Sequence, residues 1–493
     1  MGDRQARTVA RAGWIAAGAA MLASLLPGTG AAQGNSGPAL YCEALQLAEN
    51  YDEELAEFGL LTVGREGVLF DSERSLDALE LYPPAVFHDI RRLAEALRHR
   101  GTNLVMALTP PRGVVLQEYL DPDNAIQAAF DPLTAAANYR LNLDTLRDAG
   151  VIAPNLLQAM MADPVARRES YLFDDFHWAP VGALASARAI ADAIRGHPDY
   201  ARLTPQEFTV ESRGRLPVFS LYSAAVDQIC GVRPPPRPYE FFATAEADRP
   251  PASSEDLLVD APAASEQLLT DQPAGEGSEA LLSGITEENI VLVGTSFSRR
   301  QDYDANFANL LAAAAGVFVD NRAEAGGALT VTMDAYLRSR DFQAHPPIFL
   351  VWELAAYYSL ESEDEFFRAI IPAAFGECEP AEALAAAEAE LEGGQVTLIA
   401  DTEGIPAERS FLFMEVDDLS LVRFTLEIED ASGFVDRVPV ERSTRVMNDG
   451  RFFLELLDLG APVVEVRLVY QGDQRGRVAS RICREPADVA PLF

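Results

Sequence analysis

A serine becomes a nucleophile only when a base takes its proton, and the base needs a third group to fix its tautomer and steady its charge. Residues able to do this stand in two stretches. Asp175 and His177 lie two apart in Asp174-Asp175-Phe176-His177-Trp178, and Ser296 lies in Val291-Leu292-Val293-Gly294-Thr295-Ser296-Phe297-Ser298. In an extended segment, residues i and i+2 point the same way. Asp175 would then hold one imidazole nitrogen of His177 and leave the other for Ser296. Asp174 is the rival orienter, although adjacent residues of an extended segment face opposite sides. The chain has only 5 histidines, which narrows the choice of base. The chemistry would be acyl transfer through an acyl-serine, and it needs an oxyanion hole. The Ser296 N–H is one candidate donor and Gly326 or Gly327 another. A plain turn at Ser296, a helix-capping His177 and turn glycines at 326 and 327 are the readings that require no chemistry.

The elements around these residues predict their placement. Asn289–Val293 is an apolar run that reads as a buried strand, and Phe307, Leu310 and Leu311 follow at helical spacing. A strand-to-helix turn holds a serine hydroxyl out at a sheet edge, with helix N–H groups nearby. Upstream, Leu60–Phe70 reads as strand–turn–strand, Pro84–Arg100 as a helix, and Asn103–Thr109 as a strand closed by Pro110-Pro111-Arg112-Gly113. This order predicts an α/β fold with a parallel sheet. It puts Arg112 on a βα loop at the functional edge, as a substrate contact or a surface ion pair. Helices at Ala135–Ala149 and Ala183–Arg195, and strands at Gly316–Asp320 and Pro347–Glu353, continue the pattern. Residues 246–284, rich in Pro, Ser, Ala, Glu and Asp, read as a flexible acidic insertion. Glu379–Glu392 reads as an Ala/Glu helix or linker. Short strands between Val396 and Tyr470, bounded by turn residues, predict a small all-β sandwich or barrel.

Composition limits the function classes. Arg4, Arg7 and Arg11 precede an apolar run from Trp14 to Leu26 and small residues up to Ala32. That is the pattern of a secretory signal, and the apolar run is short for a membrane span. The expected organisation is a signal peptide over 1–32, an α/β domain over 33–375 and a β domain over 376–493. The formal net charge is −37, and all 39 Lys+Arg residues are arginine. Such a surface argues against nucleic acid as a partner and disfavours polyanions in general. The 4 cysteines, Cys42, Cys230, Cys378 and Cys483, lie far apart, which does not suit a metal site. An even count in an exported chain predicts two disulfides, with three pairings open. No metal or cofactor is expected.

The blocks VGREGVLF (63–70), LTPPRG (108–113), Asp-Phe-His-Trp (175–178), VLVGTSFS (291–298) and, after DFQAHPP, FLVWELAAYY (349–358) occur in this order. They resemble the AlgX/AlgJ family of bacterial polysaccharide O-acetyltransferases, whose catalytic domain is SGNH-hydrolase-like, and they cover nearly the whole α/β region. The order Asp, His, Ser is permuted relative to ordinary SGNH esterases and is shared with the family. The all-β tail is nearer to AlgX, which carries a carbohydrate-binding module there, than to AlgJ, which ends earlier. The resemblance implies a periplasmic enzyme that moves acetyl groups onto hydroxyls of an exported polysaccharide, alginate in the family. Ser296 would carry the acetyl group, His177 would be the base and Asp175 its orienter. A substrate-side tyrosine is implied at Tyr358, with Tyr357 as the alternative. The implied disulfides are Cys42–Cys230 and Cys378–Cys483. The implied partners are the polysaccharide acceptor, an acetyl donor handed on by a membrane O-acyltransferase, and other proteins of the export machinery.

The chain departs from the family pattern in the β region. Trp14, Trp178 and Trp352 all lie outside it, and its acids outnumber its arginines. A polyanion would need Arg442, Arg445 and Arg451 to form a local groove; the alternative is that they are solvated strand-face residues. An acetylesterase with the same triad, water replacing the sugar, stays open. So does a non-catalytic polysaccharide-binding scaffold, against which the intact Asp175, His177 and Ser296 speak.

Overall fold

In a computed structural model of the chain, residues 41–486 are described apart from 53–54, 247–289, 300–304, 328, 361–363 and 458–459. The expected signal peptide and nearly all of the acidic insertion lie outside the described residues. The described residues all belong to one compact unit.

The first part is an α/β layer built on a four-stranded parallel sheet. Its strands are β3 (Asn103–Thr109), β6 (Ile290–Val293), β7 (Val319–Asn321) and β8 (Phe349–Ala355), in the spatial order β3-β8-β6-β7. Asn103 and Ile290 both sit level with Phe349, and Ile290 sits level with Val319. β6 and β8 are buried along their whole length, as strands covered on both faces must be, so they read as continuous apolar runs. Helices α1 (Pro84–His99), α2 (Pro132–Asp148), α3 (Pro180–Arg195), α4 (Tyr222–Cys230), α5 (Phe307–Ala315), α6 (Val331–Arg338) and α7 (Asp364–Phe375) belong to the same part. Two two-stranded antiparallel sheets, β1 (Leu61–Val63) with β2 (Leu69–Asp71) and β4 (Phe208–Val218) with β5 (Arg237–Glu246), complete it.

The second part is a sandwich of two four-stranded antiparallel sheets, ordered β10-β15-β12-β13 and β14-β11-β16-β9. The strands are β9 (Ala385–Glu390), β10 (Gln395–Ile405), β11 (Ser410–Val416), β12 (Arg423–Asp430), β13 (Val435–Glu441), β14 (Arg451–Glu455), β15 (Val463–Tyr470) and β16 (Arg477–Arg484). β9 corrects the expectation of an Ala/Glu helix or linker. Its alanines at 385, 387 and 389 pack on the sandwich core while Ala386, Glu388 and Glu390 face out. A period of two overrides the helix propensity of Ala and Glu.

The two parts share packing. On β11, Leu412 and Met414 face the sandwich core, whereas Phe411 and Phe413 join the α/β core together with Phe453. An arginine-rich seam follows the same junction. Arg338, whose side chain is 2% exposed, pairs with Asp449, and Asp334 pairs with Arg442. Arg451 pairs with Glu377 at 2.7 Å, Arg368 with Asp436 at 2.8 Å, and Arg92 with Glu455 and Glu485. Burial alone would raise the Asp334 carboxyl, but Arg442 and Arg338 outweigh it and hold the group below its ordinary range. Arg442 and Arg451 are therefore buried in ion pairs where the parts meet, and Arg442 also lines a cavity of about 430 Å³ there with Asp334 and Arg338. Disulfides join Cys42 to Cys230 and Cys378 to Cys483, the pairing that the family resemblance implies.

Candidate active site

The stretch carrying Asp175 and His177 is a tight hairpin, not an extended segment. Tyr171 bridges Trp178, the Leu172 N–H donates to the His177 carbonyl at 3.1 Å, and the Ala179 N–H donates to the Ser170 carbonyl at 2.9 Å. Gly182 in the first turn of α3 lets the helix press on this hairpin, since a Cβ there would lie 2.1 Å from the Ser170 carbonyl oxygen. Arg112 holds the other side. It is 2% exposed and donates to the carbonyls of Leu172 at 2.8 Å, Phe173 at 2.8 Å and Leu69 at 2.5 Å. Its guanidinium also lies over the Phe70 ring. Arg112 is thus a buried staple for the hairpin and not a substrate contact.

Within the hairpin, Asp175 bends the chain back on itself. Its Oδ1 accepts from the His177 backbone N–H at 3.0 Å, the geometry of an Asx turn, and lies 2.6 Å from His177 Nδ1. Its Oδ2 accepts from the Leu221 N–H at 3.1 Å. A buried carboxylate with those partners needs Nδ1 to be a donor, which leaves the Nε2 lone pair for Ser296 Oγ, 2.7 Å away. Asp175 and His177 are buried and Ser296 is half-buried, so only the serine end of the relay meets solvent. Asp174 points elsewhere: burial raises its pKa, and its carboxylate lies against the Ser220 hydroxyl.

Ser296 lies on a turn after β6, and α5 begins at Phe307, so among the described residues no helix N-terminus abuts the serine as the sequence pattern suggests. The turn is fixed by side chains instead. The Gly294 N–H donates to Thr332 Oγ1 at 3.1 Å, and the Thr295 N–H donates to Glu353 Oε2 at 3.0 Å. The Thr295 hydroxyl donates to the same carboxylate and accepts from the Phe297 N–H at 3.2 Å. Ser298 Oγ donates to Glu353 Oε2 at 2.9 Å. Glu353 is fully buried near the end of β8. Burial pushes its pKa up to about 7, against hydrogen bonds from Thr295 and Ser298 that favour the charge.

Aromatic rings tie the hairpin to the turn. Phe176 stacks on His177 with centroids 4.0 Å apart, Phe297 lies 4.8 Å from the imidazole, and Trp178 Nε1–H donates to the Phe297 carbonyl at 2.9 Å. Tyr357 meets the Phe176 ring edge-on at 6.5 Å, and Tyr358 packs on Tyr357 at 4.9 Å. Of the two tyrosines, Tyr357 is therefore the one that touches the aromatic shell of the imidazole, while both line a cavity of about 140 Å³ with Asp77, Glu80 and Tyr82. Arg74 lies over the outer face of Phe176 at 4.8 Å and pairs with Asp71.

The remaining candidates separate. Gly326 has φ +71° and lies against the Arg445 guanidinium, and the Gly327 N–H donates to the Glu324 carbonyl at 3.0 Å. Both glycines serve the turn after β7. Arg445 is exposed and reaches the Ala325 carbonyl at 3.4 Å. Among the described residues no cluster of His, Cys, Asp and Glu could hold a metal ion, and no helix is long and apolar enough to cross a membrane.

A family profile described as the SGNH hydrolase-like domain of the acetyltransferase AlgX matches residues 61–269 and 263–356. The chain belongs to the AlgX family. The alginate biosynthesis protein AlgX of Pseudomonas fluorescens is 26% identical over 454 residues, covering 90% of this chain and 87% of that one. The probable alginate O-acetylase AlgJ of the same species is 27% identical over 318 residues, covering 61% of this chain and 71% of its own. The solved structure of Pseudomonas aeruginosa AlgX superposes with a TM-score of 0.72 at 22% identity, over 91% of this chain and 100% of that one. The fold is thus that of AlgX, an SGNH-like α/β part followed by an all-β part. Glu353, Thr295, Ser298, Phe176 and Arg74 are the site residues that the sequence reading passed over. A signal for Glu353 was present: an acid ending the wholly apolar run FLVW, beside the strand that leads to Ser296.

Proposed function

We propose that this protein is a periplasmic O-acetyltransferase that esterifies hydroxyls of an exported polysaccharide, alginate, through an acetyl-Ser296 intermediate. The observation that carries the reading is the relay Asp175 Oδ1, His177 Nδ1, His177 Nε2, Ser296 Oγ, with contacts of 2.6 and 2.7 Å and only the serine open to solvent. Membership of the AlgX family and the names of its relatives support the acceptor and the group transferred.

In the first half-reaction Ser296 Oγ attacks the acetyl carbonyl of the donor as its proton passes to His177 Nε2. The leaving group departs with that proton. In the second, a sugar hydroxyl gives its proton to Nε2 and its oxygen attacks the acetyl carbon. Ser296 leaves and recovers the proton, so the enzyme is unchanged. Asp175 stays ionised throughout and stabilises the imidazolium. The donor is supplied by a membrane O-acyltransferase partner within the export machinery. In this reading residues 1–32 are a signal peptide, 33–375 the catalytic domain and 376–493 a carbohydrate-binding-like domain, with Arg445 as the cation it turns toward the acceptor.

The test is to incubate the exported chain with an activated acetyl ester and mannuronate oligomers and to weigh the oligomers, beside Ser296→Ala. Acetylated oligomers from the wild type alone are the expected result. Ester loss without acetylated oligomers would point to an acetylesterase or another acceptor. No Ser296-dependent turnover would favour a polysaccharide-binding scaffold.

A further inference from the structure

We infer that Glu353 is a positioning residue for Ser296: through Thr295 and Ser298 it fixes the turn so that the Ser296 N–H is the amide left open for the oxyanion. This role rests on the acyl-transfer reading above. It follows from an account of every amide in the turn. The N–H of Gly294 is taken by Thr332, that of Thr295 by Glu353, and that of Phe297 by the Thr295 hydroxyl. Those of Ser298 and Arg299 go to the Thr295 carbonyl at 3.0 and 3.2 Å. Among the described residues, the Ser296 N–H alone in this run has no partner. It belongs to the residue whose hydroxyl lies 2.7 Å from His177 Nε2, so an acyl carbon bound to Oγ brings its carbonyl oxygen near that amide.

Glu353 suits the task because an ionised carboxylate only accepts. It forces the Thr295 and Ser298 hydroxyls to donate toward β8, which frees the Thr295 oxygen to accept from Phe297. Gly294 makes the close approach possible. A Cβ there would lie 2.7 Å from Glu353 Oε2 and 3.1 Å from the Glu353 carbonyl oxygen. Among the described residues, the ionisable side chains that feel Glu353 include Tyr171 from the hairpin and Tyr357 and Tyr358 beyond β8, and burial holds all three phenols above their ordinary range. They stay neutral near pH 7. His177 reaches the same turn through Ser296. A reactive Ser296 therefore needs two groups without their protons, the imidazole and Glu353, whose burial lifts it to about 7.

The experiment measures the rate at which a fluorophosphonate probe labels Ser296 in the full chain across pH 5 to 9, with 4-nitrophenyl acetate turnover beside it. The wild-type rate should fall on the acid side with a two-proton dependence. Glu353→Gln should show a one-proton limb and a plateau lower by roughly 10–100-fold, with KM for the ester unchanged. Thr295→Val, which keeps the carboxylate but removes the bridge to Phe297, should lower the plateau without changing the number of protons. Thermal melts identify folded variants, and the wild-type limb needs no variant at all. A one-proton wild-type limb, or a folded Glu353→Gln labelled at the wild-type rate, would overturn the inference. Labelling that behaves as expected without oligomer acetylation would sink the transferase reading alone, whereas no labelling of Ser296 would sink both.

Discussion

Asp175 Oδ1 receives two contacts from a single residue, the backbone N–H of His177 at 3.0 Å and its Nδ1 at 2.6 Å. One oxygen thus sets both the backbone bend and the imidazole tautomer. Asp175→Asn can turn an amide N–H toward Nδ1, which pins the other tautomer and removes the Nε2 lone pair from Ser296. Ester turnover should fall roughly 10⁴-fold with a near-native melting point. A loss below tenfold would mean that His177 is not the base.

Arg112 separates a structural from a substrate role. Arg112→Met removes the donors to the Leu69, Leu172 and Phe173 carbonyls; Phe173 keeps the Leu69 N–H at 2.8 Å, but the hairpin loses the charged group that holds all three acceptors together. Melting temperature and kcat should fall together. A rise in KM with unchanged melting would restore the substrate-contact reading.

Stability should also report on Glu353. Burial raises its pKa from 4.5 to about 7, so between those values the folded chain holds a proton that the unfolded chain has released. Its contribution to stability is greatest below 4.5, declines as pH rises to about 7 and is level above that. Glu353→Gln carries no such proton. The stability difference between variant and wild type should shift in the variant's favour by an order of 3 kcal/mol across the window. Urea midpoints at pH 5 and pH 8 measure it, and a pH-independent difference would contradict the raised pKa.

The seam between the two parts predicts a contrast among arginines. Arg338→Ala leaves Asp449 without its buried partner, and breaking such a pair costs about 3–5 kcal/mol. Arg423→Ala removes an ion pair with Glu441 whose side chains are 77% and 67% exposed, and it should not move the urea midpoint. Equal effects would show that burial does not govern these pairs.

The disulfides close long loops, with sequence separations of 188 and 105. In the chain-entropy treatment each such bridge adds on the order of 4–5 kcal/mol by restricting the unfolded chain. Cys378→Ser/Cys483→Ser should lower the urea midpoint accordingly while the labelling of Ser296 in the folded protein persists.

What could be read from the sequence follows what local pattern encodes. β3 has the expected bounds because its apolar run marks it directly, and β11 and β15 lie in the stretch expected to hold short strands. The nearness of Asp175 and His177 was legible from their spacing, but the Asx turn that brings them together was not, since the pattern i, i+2 also fits a strand. Ala385–Glu390 has a composition that favours helix, while its partner strand β16 decides the outcome. Arg112, Arg442 and Arg451 were misplaced for a different reason. Sequence reveals the sign of a charge, whereas its burial depends on residues far away in the chain, such as Leu172, Asp334 and Glu377. The role of Glu353 is not legible in its local sequence because its partners lie on another strand's turn.

β11 has consequences for anyone wishing to reuse either half of this molecule. One strand supplies alternate side chains to two interiors, with Phe411 and Phe413 on one side and Leu412 and Met414 on the other. The sandwich is therefore not a cartridge that can be unplugged. Cutting the chain before Cys378 would strip a wall from the α/β half and leave a greasy, sticky face. A chimera carrying a foreign sugar-binding module would need that wall rebuilt, phenyl ring by phenyl ring, before it stayed in solution.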